Sequence, residues 1–152
     1  MVSTLSGLTG WVLRNRALVR APIRLYRAGF GWVLGSRVLM LEHRGRNSGL
    51  PRYVCLEIVE RPAPDRLVIV SGFGARAEWY RNLKATPACF VSTGALRRAP
   101  ASARFLDDAE TDAATDRYRL AHPRLWKRLR AAIEQATGRP VERLPMVELR
   151  LA

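Results

Sequence analysis

The sequence predicts a mainly β domain with flanking helices, organised as a small antiparallel barrel. Three observations carry this. Short apolar runs of strand length recur from Val38 onward, bounded by Gly, Pro and Asp clusters. Too few helical stretches lie between them for a doubly wound sheet, which needs a helix after nearly every strand. The chain closes on Val147-Glu148-Leu149-Arg150-Leu151, whose strict alternation puts the valine and leucines on one inward face. A length of 152 residues suits one core. A hydrophobic share of 48% excludes a disordered chain.

Residues 1–35 read as an N-terminal basic amphipathic helical segment and residues 36–152 as the barrel domain. Leu5, Leu8, Trp11, Val12, Leu18 and Val19 recur at steps of three and four, as on one side of a helix. Arg14, Arg16, Arg20, Arg24 and Arg27 bring charge, and residues 3–35 hold no acidic group. Pro22 suits the first turn of a second short helix, whose end Gly29, Gly31 and Gly35 blur. Two readings stay open: a helix lying on an anionic membrane surface, or one covering an end of the barrel.

Val38–His43 and Tyr53–Glu60 read as the first two strands, with Arg61-Pro62-Ala63-Pro64-Asp65 as a turn. Leu67–Val70 is continuously apolar and reads as a strand buried on both faces. Ser71-Gly72-Phe73-Gly74 follows as a flexible loop, then a helix over Glu78–Thr86 that Pro87 stops. Cys89–Thr93 makes a fourth strand, turning at Gly94-Ala95. Leu96–Leu106 makes one or two more, with Pro100 at an edge or bulge. Asp107 or Asp108 caps a helix to Ala121. Pro123 opens another, which Gly138 ends.

The formal charge is +13, and all 26 basic residues except Lys84 and Lys127 are arginine. That fits recognition of phosphate or carboxylate, and it also fits a compositional bias. Such a chain attracts nucleic acid, an anionic membrane or a polyanionic ligand. Without a zinc finger, an RNA-recognition aromatic signature or a clear helix-turn-helix, nucleic acid ranks last as a partner. Cys55 and Cys89 read as small buried hydrophobes. With only His43 and His122 beside them, no metal is expected. The absence of a spanning apolar run and of a signal peptide core makes a cytoplasmic protein the expectation.

Between the first two strands, Arg44 to Arg52 hold three arginines, two glycines and the Ser48 hydroxyl. Gly45 and Gly49 let amides turn toward one point, and arginines around such a nest grip phosphate with paired donors. A basic hairpin loop without a ligand is the plainer reading of the same residues.

The run Gly45-Arg46-Asn47-Ser48-Gly49-Leu50-Pro51-Arg52 resembles the GR(K/N)SG-x-PR motif of the deazaflavin-dependent nitroreductase and quinone reductase family. Ser71–Gly74 followed by Trp79-Tyr80-Arg81-Asn82-Leu83-Lys84-Ala85-Thr86-Pro87 resembles its second signature, a WYxNLxAxP helix after a small-residue loop. Leu144-Pro145-Met146-Val147-Glu148-Leu149 is similar to its last strand. The resemblance implies a split β-barrel like the FMN-binding barrels. It implies coenzyme F420, a deazaflavin whose tail carries a phosphate and glutamates. It further implies hydride transfer to a quinone or nitro-aromatic acceptor, in an actinobacterial cytoplasmic protein held at the inner face of the membrane. Arg46, Asn47, Ser48, Gly49 and Arg52 would hold the phosphate. The backbone of Val54, Cys55 and Leu56 would line the ring, with Ser71, Gly72 and Phe73 near its other side. Trp79 and Asn82 would close the site, each with an ordinary structural reading as well. Arg76 would reach a tail glutamate or stay solvated. Two departures stand out: Asn47 replaces a frequent lysine, and the loop from Ser71 to Trp79 is short. In the C-terminal helical region Trp126 and Tyr118 mark a weak substrate pocket, and no catalytic acid carries over. The alternative is a coenzyme-free barrel that binds fatty acid or another lipid. Oligomeric state is not legible.

Overall fold

The computed structural model describes residue 23, residues 37–141 and residues 143–152. Apart from Ile23, the helical segment expected over residues 1–35 lies outside the described residues, as does its boundary with the barrel. Strands β1 (Val38–Arg44), β2 (Pro51–Ala63) and β3 (Arg66–Val70) come first. A 3-10 turn (Gly74–Arg76) and helix α1 (Glu78–Ala85) lead to β4 (Ala88–Thr93) and β5 (Leu96–Phe105). Helices α2 (Asp108–Ala121) and α3 (Pro123–Thr137) precede β6 (Met146–Leu151). The strands close an antiparallel barrel in the order β1-β2-β3-β6-β5-β4.

Alternation decides which side chains enter the barrel. Leu39 and Leu41 of β1, Leu67 and Ile69 of β3, Val91 of β4 and Val147 and Leu149 of β6 are all fully buried there. Trp79, Tyr80 and Leu83 of α1 join this core. On the outer face Val59, Val68, Val70 and Met146 meet Ala114 and Tyr118 of α2 and Ile133 of α3. β3 is continuously apolar for that reason: its two faces enter two different cores.

The helix boundaries follow local chemistry. Asp107 Oδ1 accepts the Glu110 amide at 2.8 Å, and Glu110 Oε1 accepts the Asp107 amide at 3.2 Å, a reciprocal cap for α2. Gly138 ends α3 at φ 69°. Helix α1 stops at Ala85, with Thr86 already extended.

One expectation is corrected. Arg61-Pro62-Ala63 is strand, and the turn shrinks to Pro64-Asp65. Register shifts between Ile58 and Glu60 and between Glu60 and Ala63 carry β2 through this stretch. Pro62 lies where the ladder skips a residue, so its missing donor costs no ladder bond. Leu96–Phe105 is a single strand. Pro100 lies beside the end of β6, where its carbonyl accepts the Ala152 amide at 2.9 Å.

Candidate functional site

The β1–β2 loop closes on itself. The Gly45 amide donates to Leu50 O at 2.9 Å, the Gly49 amide to Gly45 O at 2.8 Å, and the Leu50 amide to Ser48 Oγ at 3.2 Å. Arg44 Nη1 donates to Gly49 O at 2.9 Å. Gly49 adopts φ 71°, open to glycine and strained for most other residues. Gly45 is required for a different reason: a Cβ there would lie 2.6 Å from Ser48 Oγ. The amides of Gly45, Gly49 and Leu50 are therefore spent within the loop and do not turn outward to a ligand. Asn47 and Ser48 are exposed, and their amides have no partner among the described residues.

Behind the loop runs a connected polar chain. Asn82 is buried on α1. Its Oδ1 accepts the Arg46 amide at 3.1 Å and Arg46 Nη1 at 2.9 Å. Its Nδ2 faces His43 Nδ1 at 3.1 Å. His43 is buried, and desolvation, with the Arg52 charge adding to it, lowers its pKa from 6.5 to about 4. A neutral imidazole accepts the carboxamide donor at Nδ1 and keeps its proton on Nε2. Arg46 Nη1 also meets Glu78 Oε2 at 2.6 Å. That hydrogen bond, then the Arg46, Arg81 and Arg52 charges, hold the Glu78 carboxyl below its ordinary range. Three guanidiniums thus act on one carboxylate, which leaves the loop an excess of positive charge.

His43 and Glu78 were not among the residues expected at this site. Glu78 had a signal: it lies four positions before Asn82, on the same helix face. His43 had none beyond ending the first strand.

The start of β2 offers an open backbone edge. Residues Pro51–Glu57 pair with β1, whereas pairing with β3 begins only at Ile58. The Ile58 amide donates to Arg37 O at 2.8 Å, so alternation turns Val54 and Leu56 toward β1 as well. The peptide group of Cys55 then faces the other edge, which no strand covers among the described residues until β3 takes over at the Ile58–Ile69 pair. Val54 and Leu56 side chains pack on the barrel core. The Cys55 thiol points outward half-buried, and burial raises its pKa to about 12, which disfavours the thiolate.

The chain leaves β3 beside this edge. Ser71 is fully buried; its amide donates to Pro145 O at 2.9 Å and its hydroxyl to Gly74 O at 2.6 Å. Its hydroxyl is thus a turn fastener. Gly72 sits under α3, where a Cβ would meet Ile133 Cγ1 at 3.4 Å. Phe73 is 54% exposed beside them, a large apolar surface in water. Trp79 is 7% exposed and packs edge-on against Tyr80 in the barrel core, as an ordinary core tryptophan does.

Tyr118 and Trp126 meet edge-on at 6.3 Å over the outer face of β2. The Tyr118 hydroxyl donates to Glu57 Oε1 at 2.7 Å, and burial, then Glu57, push its pKa up. Among the described residues no group of three His, Cys, Asp or Glu side chains is placed to hold a metal. No described helix is long and apolar enough to cross a membrane.

The family model for F420H(2)-dependent quinone reductase matches residues 18–147. Among solved structures, an F420-H2 dependent reductase (FDR-A) is 25% identical with a TM-score of 0.51, covering 75% of this chain and 94% of that one. A structure described as a domain-swapped dimer is 20% identical with a TM-score of 0.56, covering 86% and 100%. HutZ, a heme storage protein from Vibrio cholerae, is 13% identical with a TM-score of 0.52, covering 88% and 90%. The last two show the split-barrel fold alone. No curated protein sequence matches.

Proposed function

Because the chain belongs to the F420H(2)-dependent quinone reductase family, we propose that it binds reduced coenzyme F420 and reduces a quinone or a nitro-aromatic compound. One observation supports this reading above the others. The unpaired β2 edge at Cys55 lies between a loop with excess positive charge and the turn at Ser71–Gly74.

The residues present fit such a coenzyme. Arg46 and Arg52, with the tip amides of Asn47 and Ser48 and the backbone freedom of Gly49, hold the phosphate of its tail. The β2 edge at Cys55, between Val54 and Leu56 whose own peptide groups turn to β1, and the turn at Ser71, Gly72 and Phe73 flank its ring. Asn82 acts indirectly, by orienting Arg46. Trp79 supports α1 from within the core. When bound, the reduced coenzyme supplies a hydride. The protein contributes orientation and exclusion of water. The Tyr118 hydroxyl is already held by Glu57, and the acceptor takes its proton from solvent. Trp126 and Tyr118 border the acceptor's side.

The test is titration of the purified chain with F420, followed by coenzyme fluorescence. Binding in the micromolar range or tighter is expected, with Arg52→Ala weakening it by roughly 1.5–3 kcal/mol, as for a charge-assisted contact. Oxidation of the reduced coenzyme by a soluble quinone and by a nitro-aromatic compound, assayed side by side, ranks the acceptors. A chain that leaves coenzyme fluorescence unchanged and co-purifies with fatty acid would be a lipid-binding protein instead.

Residues 1–35, with five arginines and no acid from residue 3 onward, suit peripheral contact with an anionic membrane facing the cytoplasm. Their removal should reduce sedimentation with anionic vesicles and leave coenzyme affinity nearly intact. Undiminished sedimentation would place membrane contact elsewhere in the chain.

A further inference from the structure

A second basic site lies at the other end of the barrel. A recess of about 340 Å³ opens on the outer face of β3, β6 and β5, lined by Arg66, Ser102, Ala103, Arg104, Glu148 and Arg150. Arg66 begins β3, whereas Ser71 follows its end, so the strand separates this recess from the β2 edge. Leu67, Val147 and Leu149 point into the barrel; alternation turns Arg66, Glu148 and Arg150 outward.

The charges here are not balanced. Arg66 and Arg150 are direct cross-strand partners, a like-charge pairing that destabilises a sheet. Arg150 pairs on its other side with Ser102, a hydroxyl. Glu148 is paired with Arg104 at 3.4 Å, and Arg104 also takes Glu110 at 2.9 Å. Neither Arg66 nor Arg150 forms an ion pair among the described residues. Arg66 Nε is buried without a hydrogen-bond partner. An unpaired buried donor on a charged group is costly, so it marks a place where an acceptor belongs.

We propose that this recess is an anion site that takes a phosphate group, free or as a monoester. Three guanidiniums, set against Glu148 and the Glu110 carboxylate that Arg104 also holds, leave an excess of one positive charge, which favours an anion. The donors arrive from three adjacent strands: Arg66 from β3, Arg150 from β6, and Arg104 and the Ser102 hydroxyl from β5. That spread suits a tetrahedral acceptor better than a planar carboxylate, and arginine forks match phosphate oxygens in pairs. The site is independent of the coenzyme reading: it shares no residue with the β1–β2 loop or the β2 edge.

The test is amide shift mapping on the full ¹⁵N-labelled chain at about pH 7.5, where phosphate is mostly dianionic. Inorganic phosphate and glycerol 3-phosphate are titrated separately against chloride at constant ionic strength. Saturable shifts at Arg66, Ser102 and Arg150 are expected with at least one probe. The tighter of the two identifies the source as free phosphate or monoester. Arg66→Gln and Arg150→Gln should each weaken that binding by about tenfold or more, in chains whose spectra stay dispersed. Shifts confined to Asn47 and Ser48 at the opposite end, or linear shifts at the recess that never saturate, would overturn the proposal on the unaltered chain alone. Full-strength binding in both glutamine variants would overturn it as well.

Discussion

Arg46 and Glu78 meet at 2.6 Å across 32 residues of chain, and the guanidinium nitrogen they share also donates to Asn82. Glu78 therefore stands as an internal anion on the arginine proposed to receive the coenzyme phosphate. Its side chain is 72% exposed, so it swings away at little cost. The expected consequence is competition. Glu78→Gln should tighten F420 binding severalfold in a fluorescence titration and leave the thermal midpoint near that of the parent. Weaker binding in the variant would show that Glu78 orients Arg46 rather than blocking it.

Asn82 ties helix α1 to the loop. Removing its carboxamide leaves the Arg46 amide without an acceptor and the buried His43 Nδ1 without a donor. Asn82→Ala should cost about 1–3 kcal/mol of stability, the range for stranded buried polar groups. Urea denaturation measures it. A loss no larger than that of an exposed alanine substitution would mean that water replaces the carboxamide freely.

His43 gives this same junction a pH dependence. Burial lowers its pKa from 6.5 to about 4. Between those values the unfolded chain binds a proton that the folded chain refuses. Stability therefore falls as pH drops through 6.5, and this contribution is exhausted near about 4. Carboxylates add their own acid dependence, so the informative quantity is a difference. His43→Gln keeps an acceptor for Asn82 and removes the titration. Its urea midpoint, compared with the parent's, should improve steadily as pH falls through this window. Parallel curves would mean that His43 titrates alike in both states.

These couplings explain how far the sequence could be read. The Asp107 cap, Pro123 opening α3 and Gly138 closing it are local decisions, written within one turn of chain. The alternation of Val147–Leu151 and the unbroken run Leu67–Val70 told which faces are covered. The length of β2 was hidden because Arg61-Pro62 has turn chemistry, and only the register shift against β3 shows how a strand tolerates it. At the site, arginines and glycines marked the loop correctly as basic and tightly turned. Which arginine is free was not local information. Arg46 is committed to Glu78 and Asn82 through contacts 32 and 36 residues apart. Ser71, expected near the ring, spends its hydroxyl on Gly74 three residues on.

The tightest steric constraint in the loop lies between Gly45 and Ser48. A Cβ on residue 45 would lie 2.6 Å from Ser48 Oγ, closer than nonbonded atoms approach. That oxygen accepts the Leu50 amide, so it cannot move without losing a bond that shapes the loop. Gly45→Ala should therefore destabilise the chain and weaken coenzyme binding together. Ser48→Ala alone removes the bond and opens the space. The double variant should then be less impaired than the two single effects added, with a coupling of about 0.5–3 kcal/mol, as for residues in contact. Denaturation of all four chains gives this value directly. Strict additivity would mean that the loop relaxes around the new methyl without using Ser48, and that its shape is set elsewhere.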